Sequence, residues 1–352
     1  MKSLKVALVE AKTSFQNYNT SKTGFYGYVY YLFKNLSKYN SNIEKVGIEI
    51  NSTFGKGFSI MFDSIVRDFS KYNIVHNLDL NPFFPLRKGN SIIISTVHDL
   101  AFIFDKKSNE DVSHTLKDLV WSKLVTRLGL YSTLKSNYLI AVSTLTKNDL
   151  IKLGYDKDKI FVVNHGLDES FSSPVKIKKK TDKFIIGYLG AMRTRKNPEF
   201  FINAFNKLHD DGYEMNVWGK LGYNREKIIK MSKGNKKIKF MGFAPENKKI
   251  SIYDSFNCFV FPSHYEGFGI PILEAQARGL PVIIYKYGKI PKEVRKYCFE
   301  AENPEHMAQI INSIRINGYN EKQQKKATEY ARSFTWERCA KGTLDVYRMV
   351  LK

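Results

Sequence analysis

The chain has little cysteine. It holds three such residues in 352, and Cys258, Cys298 and Cys339 stand far apart with no metal-ligand spacing. They read as reduced thiols of a cytosolic protein. No apolar run approaches the roughly 20 residues that a membrane span needs. Met1-Lys2-Ser3-Leu4-Lys5-Val6 leads straight into a strand pattern, which argues against a signal peptide. There is no Walker Gly-Lys-Ser/Thr loop, no zinc-finger spacing and no RNA-recognition aromatic motif. Glu10-Ala11-Lys12-Thr13 follows the first strand pattern where a dinucleotide-binding oxidoreductase would carry Gly-x-Gly-x-x-Gly. No Asp-x-Asp closes an apolar strand to hold a divalent cation. Acidic residues are scarce too, 34 against 56 basic, for a net charge of +22. That balance attracts polyanions: a nucleotide, an anionic membrane or a nucleic acid.

What is present suits two globular domains. Hydrophobic residues make up 43% of the chain and aromatics 14%, and the length suffices for two separate cores. The first half alternates strand patterns (5–9, 43–48, 74–76, 91–96, 138–142, then 161–164) with helical ones (26–39, 116–134, 146–153). The polar, lysine-rich run 172–182 reads as a linker. A second alternating series follows it, with strands at 184–188, 214–218, 238–241, 258–261 and 282–285. Such alternation predicts βα units and mostly parallel sheets.

The most informative stretch is Phe261-Pro262-Ser263-His264-Tyr265-Glu266-Gly267-Phe268-Gly269-Ile270-Pro271-Ile272-Leu273-Glu274-Ala275. An apolar strand ends in a glycine loop, and a helix opens with proline, which has no N–H to waste in a first turn. Gly279 and Pro281 close that helix. Free N–H groups and the helix dipole favour an anion at such a start. Glu266 and Glu274 beside an anion site need a reason, and sugar or ribose hydroxyls supply one, because ionised carboxylates only accept hydrogen bonds. Upstream, Arg195-Lys196-Asn197 follows the strand end Gly187-Tyr188-Leu189-Gly190. Two cations at a helix start are electrostatically misplaced unless they meet a ligand.

These blocks resemble the Glu-x7-Glu signature of retaining glycosyltransferases of the GT4 family. The resemblance extends through Val97-His98-Asp99-Leu100, Ala141-Val142-Ser143, Val162-Val163-Asn164-His165-Gly166, Phe240-Met241-Gly242 and Phe334-Thr335-Trp336-Glu337. It implies the GT-B fold: α/β, two Rossmann-like domains facing each other across a cleft, with the C-terminal helix returning to the first domain. The expected divisions are 1–172 for an acceptor-binding domain, 183–333 for a nucleotide-sugar-binding domain and 334–352 for the returning helix.

The resemblance also implies roles. Arg195 and Lys196 contact the donor phosphates, Glu266 the transferred sugar and Glu274 the nucleotide ribose. Gly190, Gly267, Phe268, Gly269 and Ile270 line the donor site, and Gly242 and Phe243 flank the base. His98 faces the sugar, Asp99 orients it or meets the acceptor, and Gly24 lets backbone approach the diphosphate or acceptor. Three positions depart from the pattern: Gly24-Phe25-Tyr26 replaces Gly-x-Gly, Ala191-Met192 stands where many relatives have another basic residue, and Thr144 replaces a common glutamate. The co-substrate expected is a UDP- or GDP-linked sugar, with no metal and no other cofactor. The acceptor expected is a glycan or a lipid-linked hydroxyl. The alternative weighed is a basic nucleic-acid-binding protein with a Rossmann-like core, though no specific nucleic acid is expected. The protein is expected in the cytoplasm, attached peripherally to an anionic membrane. The helix pattern 116–134 interleaves apolar and basic residues, so it either covers the first sheet or lies on a bilayer.

Overall fold

The computed structural model of the protein describes residues 4–12, 24–51, 55–109, 116–175, 183–222, 225–232 and 235–352. Two compact units emerge. The first holds residues 1–100, 113–166 and 335–352, and the second 101–112 and 167–334. The linker reading at 172–182 falls largely outside the described residues.

The first unit carries β1 (Val6–Ala11), β2 (Ile43–Ile48), β3 (Ile74–Asn77), β4 (Ile92–Val97), β5 (Tyr138–Ala141) and β6 (Ile160–Val162). They form one sheet in the order β2-β1-β3-β4-β5-β6, and every pairing is parallel. All six residues of β1 are buried, as a parallel strand covered on both faces requires. The helix Trp336–Val350 belongs to this unit, as the returning C-terminal helix should. Its Trp336, Cys339, Ala340, Leu344 and Tyr347 share a core with Tyr28, Val29 and Leu32 of the helix Gly24–Leu36. A side chain at Gly166 would overlap the backbone of Trp336, so glycine permits the chain crossing there.

The second unit carries β7 (Phe184–Leu189), β8 (Tyr213–Trp218), β9 (Ile238–Gly242), β10 (Cys258–Phe261), β11 (Val282–Tyr285) and β12 (Phe299–Ala301). Its parallel order is β12-β11-β10-β7-β8-β9, the doubly wound arrangement of a dinucleotide-binding sheet.

The predicted elements hold to within a few residues. Several others were not foreseen, among them the helices Gly55–Val66, Arg225–Ser232, Lys249–Asp254, Pro304–Asn317 and Glu321–Arg332 and the strand β12. The helix Gly55–Val66 opens Gly-Lys-Gly, a poor helix start, and β12 is only three residues long. The short helix Ala101–Phe104 and the turn Lys106–Asn109 group with the second unit although they directly follow the His98 segment. All three cysteines are free thiols.

Candidate functional site

In the second unit, β7 and β10 are neighbours from which the chain departs to opposite sides of the sheet. That is the switch point at which doubly wound sheets bind ligands, beyond the carboxyl ends of the strands. Two loops emerge there and carry the charged residues foreseen. After β7 comes the turn Thr194–Lys196, then Asn197 with a left-handed φ of 55° and the helix Pro198–Asn206. After β10 comes the stretch that holds Glu266. His264 N–H donates to the Arg195 carbonyl at 2.8 Å, tying the loops together.

Across that tie, the Lys196 ammonium bonds Glu266 Oε1. Arg195 Nη1 lies 3.8 Å from Glu266 Oε2 and donates to the Tyr265 carbonyl at 3.1 Å. The Lys196 Nζ also sits 4.9 Å from the centre of the Phe261 ring. Glu266 is only 7% exposed at its side chain, Lys196 13% and Arg195 19%. Burial alone would raise the Glu266 carboxyl, but Lys196 and Arg195 outweigh it and hold it below the usual carboxylate range. Glu266 is therefore ionised at neutral pH, an acceptor and not an acid. The loop is pinned from its far side, where Glu266 N–H donates to the Lys289 carbonyl at 3.0 Å and Lys289 N–H to the His264 carbonyl at 2.7 Å.

The helix Ile270–Ala277 follows Gly269, whose φ of 99° suits glycine. Gly267, Phe268 and Gly269 are buried and Ile270 is half-buried. Phe268 packs on Phe334 with ring centres 6.0 Å apart. Gly190 and Gly242 meet through a third residue, Gly219. Gly190 N–H donates to the Trp218 carbonyl at 2.9 Å, and Gly219 N–H to the Gly242 carbonyl at 2.7 Å. A side chain at Gly219 would overlap the Gly190 carbonyl. The exits of β7, β8 and β9 thus pack backbone on backbone, and Phe243 stands 57% exposed beside them, a free aromatic face.

Glu274, expected at the nucleotide ribose, is held by two side chains of its own unit. It is 4% exposed. Its Oε1 accepts from Lys249 Nζ at 2.5 Å and its Oε2 from the Tyr253 hydroxyl at 2.7 Å. Lys249, 8% exposed, also lies 3.7 Å from Glu246. Burial works against the Lys249 charge, yet Glu274 and Glu246 raise its pKa overall. Burial, then Glu274, pushes the Tyr253 phenol well up. Sequence reasoning passed over Lys249, although a signal existed: Lys249, Ile252 and Tyr253 share the buried side of one short helix, and a lysine there needs a partner. Lys107 was also passed over; its Nζ lies 3.0 Å from His264 Nε2.

In the first unit, His98 stands just beyond the carboxyl end of β4, where it was foreseen. Both its ring nitrogens are engaged. Nε2 donates to the Leu78 carbonyl at 2.9 Å, and Nδ1 lies 3.2 Å from His165 Nε2, with the Tyr28 ring edge-on at 4.6 Å. Burial holds His98 below the usual imidazole range, so it is neutral. Asp99 follows, half-buried. Gly24 is the first residue of its helix, and residues 13–23 before it lie outside the described ones. Among the described residues, no three His, Cys, Asp or Glu side chains gather where they could hold a metal ion.

Comparison with known proteins gives two consecutive family matches. Residues 46–171 match Glycosyltransferase Family 4 and residues 170–334 match Glycosyl transferases group 1. A similar protein is the O-antigen chain mannosyltransferase B of Escherichia coli, 26% identical over 63% of this chain and 63% of that one. The alignments span less than two thirds of the length of the curated relatives first matched. Among solved structures, sucrose-phosphate synthase from Thermosynechococcus elongatus superimposes with a TM-score of 0.71 at 16% identity, covering 99% of both chains. The Anabaena protein HepE, solved with UDP and glucose, superimposes with a TM-score of 0.64 at 13% identity, covering 97% of this chain and 98% of that one. These likenesses show the GT-B fold.

Proposed function

The chain belongs to a GT4-like family of glycosyltransferases, and from that premise we propose that it is a retaining enzyme of the GT4 type. It moves a hexose-like sugar from a UDP- or GDP-linked donor to a hydroxyl of a glycan or lipid-linked acceptor. The observation that carries this reading is the pairing of Arg195 and Lys196 with Glu266 at the β7/β10 switch point. Breaking a sugar–diphosphate bond leaves the diphosphate more negative, so stabilising the leaving group is the main catalytic task. Two nearly buried cations, consecutive on the loop after β7, supply that charge, and dispense with a metal. Glu266, ionised, accepts hydrogen bonds from the sugar hydroxyls and keeps the two cations in place before the donor arrives. An ionised carboxylate held by two cations is a poor nucleophile, which favours same-face transfer, with the leaving phosphate taking the acceptor proton. HepE's complex with UDP and glucose supports the choice of a nucleotide donor by analogy of fold.

Thermal shift with UDP, GDP, UDP-glucose and GDP-mannose tests this reading, because a ligand of the folded state alone raises Tm by mass action. One nucleotide series should stabilise the protein, and a flat response to all four would oppose the proposal. Within the active series, Glu274→Gln is expected to weaken nucleotide binding by about 1–3 kcal/mol, through a lost charged hydrogen bond to ribose. Titration calorimetry checks it, and an unchanged Kd would remove Glu274 from the ribose site.

Peripheral membrane attachment is the further part of this proposal. No helix among the described residues is long and apolar enough to cross a membrane. The helix Leu116–Leu134 exposes Val120, Leu124 and Tyr131 beside exposed Lys123 and Arg127, a mixture suited to an anionic bilayer surface. Co-sedimentation with liposomes should rise with phosphatidylglycerol and fall with salt. Protein left in the supernatant at low salt would point to an acceptor free in solution.

A further inference from the structure

The first unit has a switch point of its own. In the order β2-β1-β3-β4-β5-β6, β1 lies between the two strands that follow it in the chain. The rule that selects β7/β10 in the second sheet selects β1/β3 here. At that place Glu10, the penultimate residue of β1, is wholly buried. Its Oε1 accepts from Lys56 Nζ at 2.9 Å and from the Ala11 N–H at 2.7 Å, while Asn81 Nδ2 lies 3.4 Å from Oε2. Lys56 also bonds Asp79 Oδ2 at 3.1 Å. Asp79 follows β3 closely, and its other oxygen accepts the Leu80 N–H at 2.8 Å. The side chains of Lys56 and Asp79 are 33% and 30% exposed.

Two features set this cluster apart from an ordinary surface ion pair. Lys56 is the second residue of the helix Gly55–Val66, where the helix dipole disfavours a cation. Beneath it lies a carboxylate with no exposure at all, an arrangement that is costly unless the ammonium must be held at that spot. Burial pushes the Glu10 carboxyl up to about 7 against the pull of Lys56. The outward groups are then one donor and one acceptor side by side at a sheet's carboxyl edge.

We propose that the Lys56–Asp79 pair is a polyol-binding subsite of the first unit, taking unphosphorylated sugar hydroxyls, with Glu10 bonded to Lys56 beneath it. A hydroxyl both donates and accepts, so it can accept from the ammonium and donate to the carboxylate. The Asp79 carboxylate already faces the Lys56 ammonium, which disfavours a phosphate at that spot. The inference rests on the glycosyltransfer reading, and narrows the acceptor group entering this unit to a neutral sugar.

The test is saturation-transfer NMR on the full chain with methyl α-mannopyranoside, methyl α-glucopyranoside and mannose 6-phosphate. The nucleotide that stabilises the wild type serves as the folding control. At least one neutral glycoside should bind, with the phosphate no better than its neutral counterpart. Asp79→Asn, which keeps the shape, and Lys56→Arg, which keeps the charge over Glu10 but moves the donors, should each weaken glycoside binding at least fivefold. Both should leave the nucleotide-induced Tm shift intact. Equal glycoside binding by both variants overturns the subsite, as does a phosphate bound tenfold tighter than the glycoside, or no glycoside bound by the wild type. Absence of a nucleotide shift in the wild type would count instead against the donor reading.

Discussion

Lys196→Ala is expected to lower kcat/KM by about 10²–10³-fold, the usual loss when one preorganised charge-stabilising donor is removed. The same change should destabilise the fold by about 3–5 kcal/mol, because it leaves Glu266 nearly buried without its nearer cation, and Arg195 lies farther off. The two effects can be separated by assaying far below the melting temperature. The pH dependence has a definite sign. In the wild type the Glu266 carboxyl is held low, so its pairing stabilises the protein above the unfolded carboxyl pKa and is lost as pH falls through the lowered value. Without Lys196, burial becomes the stronger influence and the carboxyl moves up. Stability should then fall as pH rises through that raised value. Urea unfolding of wild type and variant across a pH series reads this crossing directly, and parallel curves would contradict it.

Lys249→Met should be as damaging to stability, again by about 3–5 kcal/mol, since it strips the buried Glu274 of its cation. The double change Lys249→Met with Glu274→Leu should recover most of that loss, because apolar replacement of a whole buried pair is often neutral or stabilising. Nucleotide affinity should not recover, as the carboxylate proposed to meet the ribose is gone. Urea midpoints and calorimetric Kd values for the three proteins decide the matter. Recovery of affinity in the double variant would show that Glu274 serves packing alone.

Much of this architecture is legible in the residues. Apolar runs bounded by glycine and proline mark β7 and β10, and the loops that leave them carry Arg195, Lys196 and Glu266 in a recognisable order. What escaped is side-chain pairing over long sequence separation. Lys249 meets Glu274 across 25 positions, and Lys107 meets His264 across 157; no periodicity announces either. Glu10, Lys56 and Asp79 come from three elements, and become a cluster only when β1 and β3 lie side by side. His98 shows the converse. Its position beyond β4 is readable from the strand pattern, but its occupation by Leu78 and His165 depends on how neighbouring loops close. The nucleic-acid alternative, raised by the +22 charge, finds no support in the family matches.

The central claim is metal-free release of a nucleoside diphosphate driven by Lys196, Arg195 and Glu266. It is tested most directly by measuring nucleotide release from UDP-glucose, UDP-galactose, UDP-N-acetylglucosamine and GDP-mannose in the presence of EDTA, with wild type, Lys196→Ala and Glu266→Gln side by side. The account predicts release from at least one donor by the wild type, unaffected by the chelator, and a loss of about 10²-fold or more in both variants. Wild-type release by the variants, or activity abolished by EDTA and restored by Mg²⁺ or Mn²⁺, would contradict it.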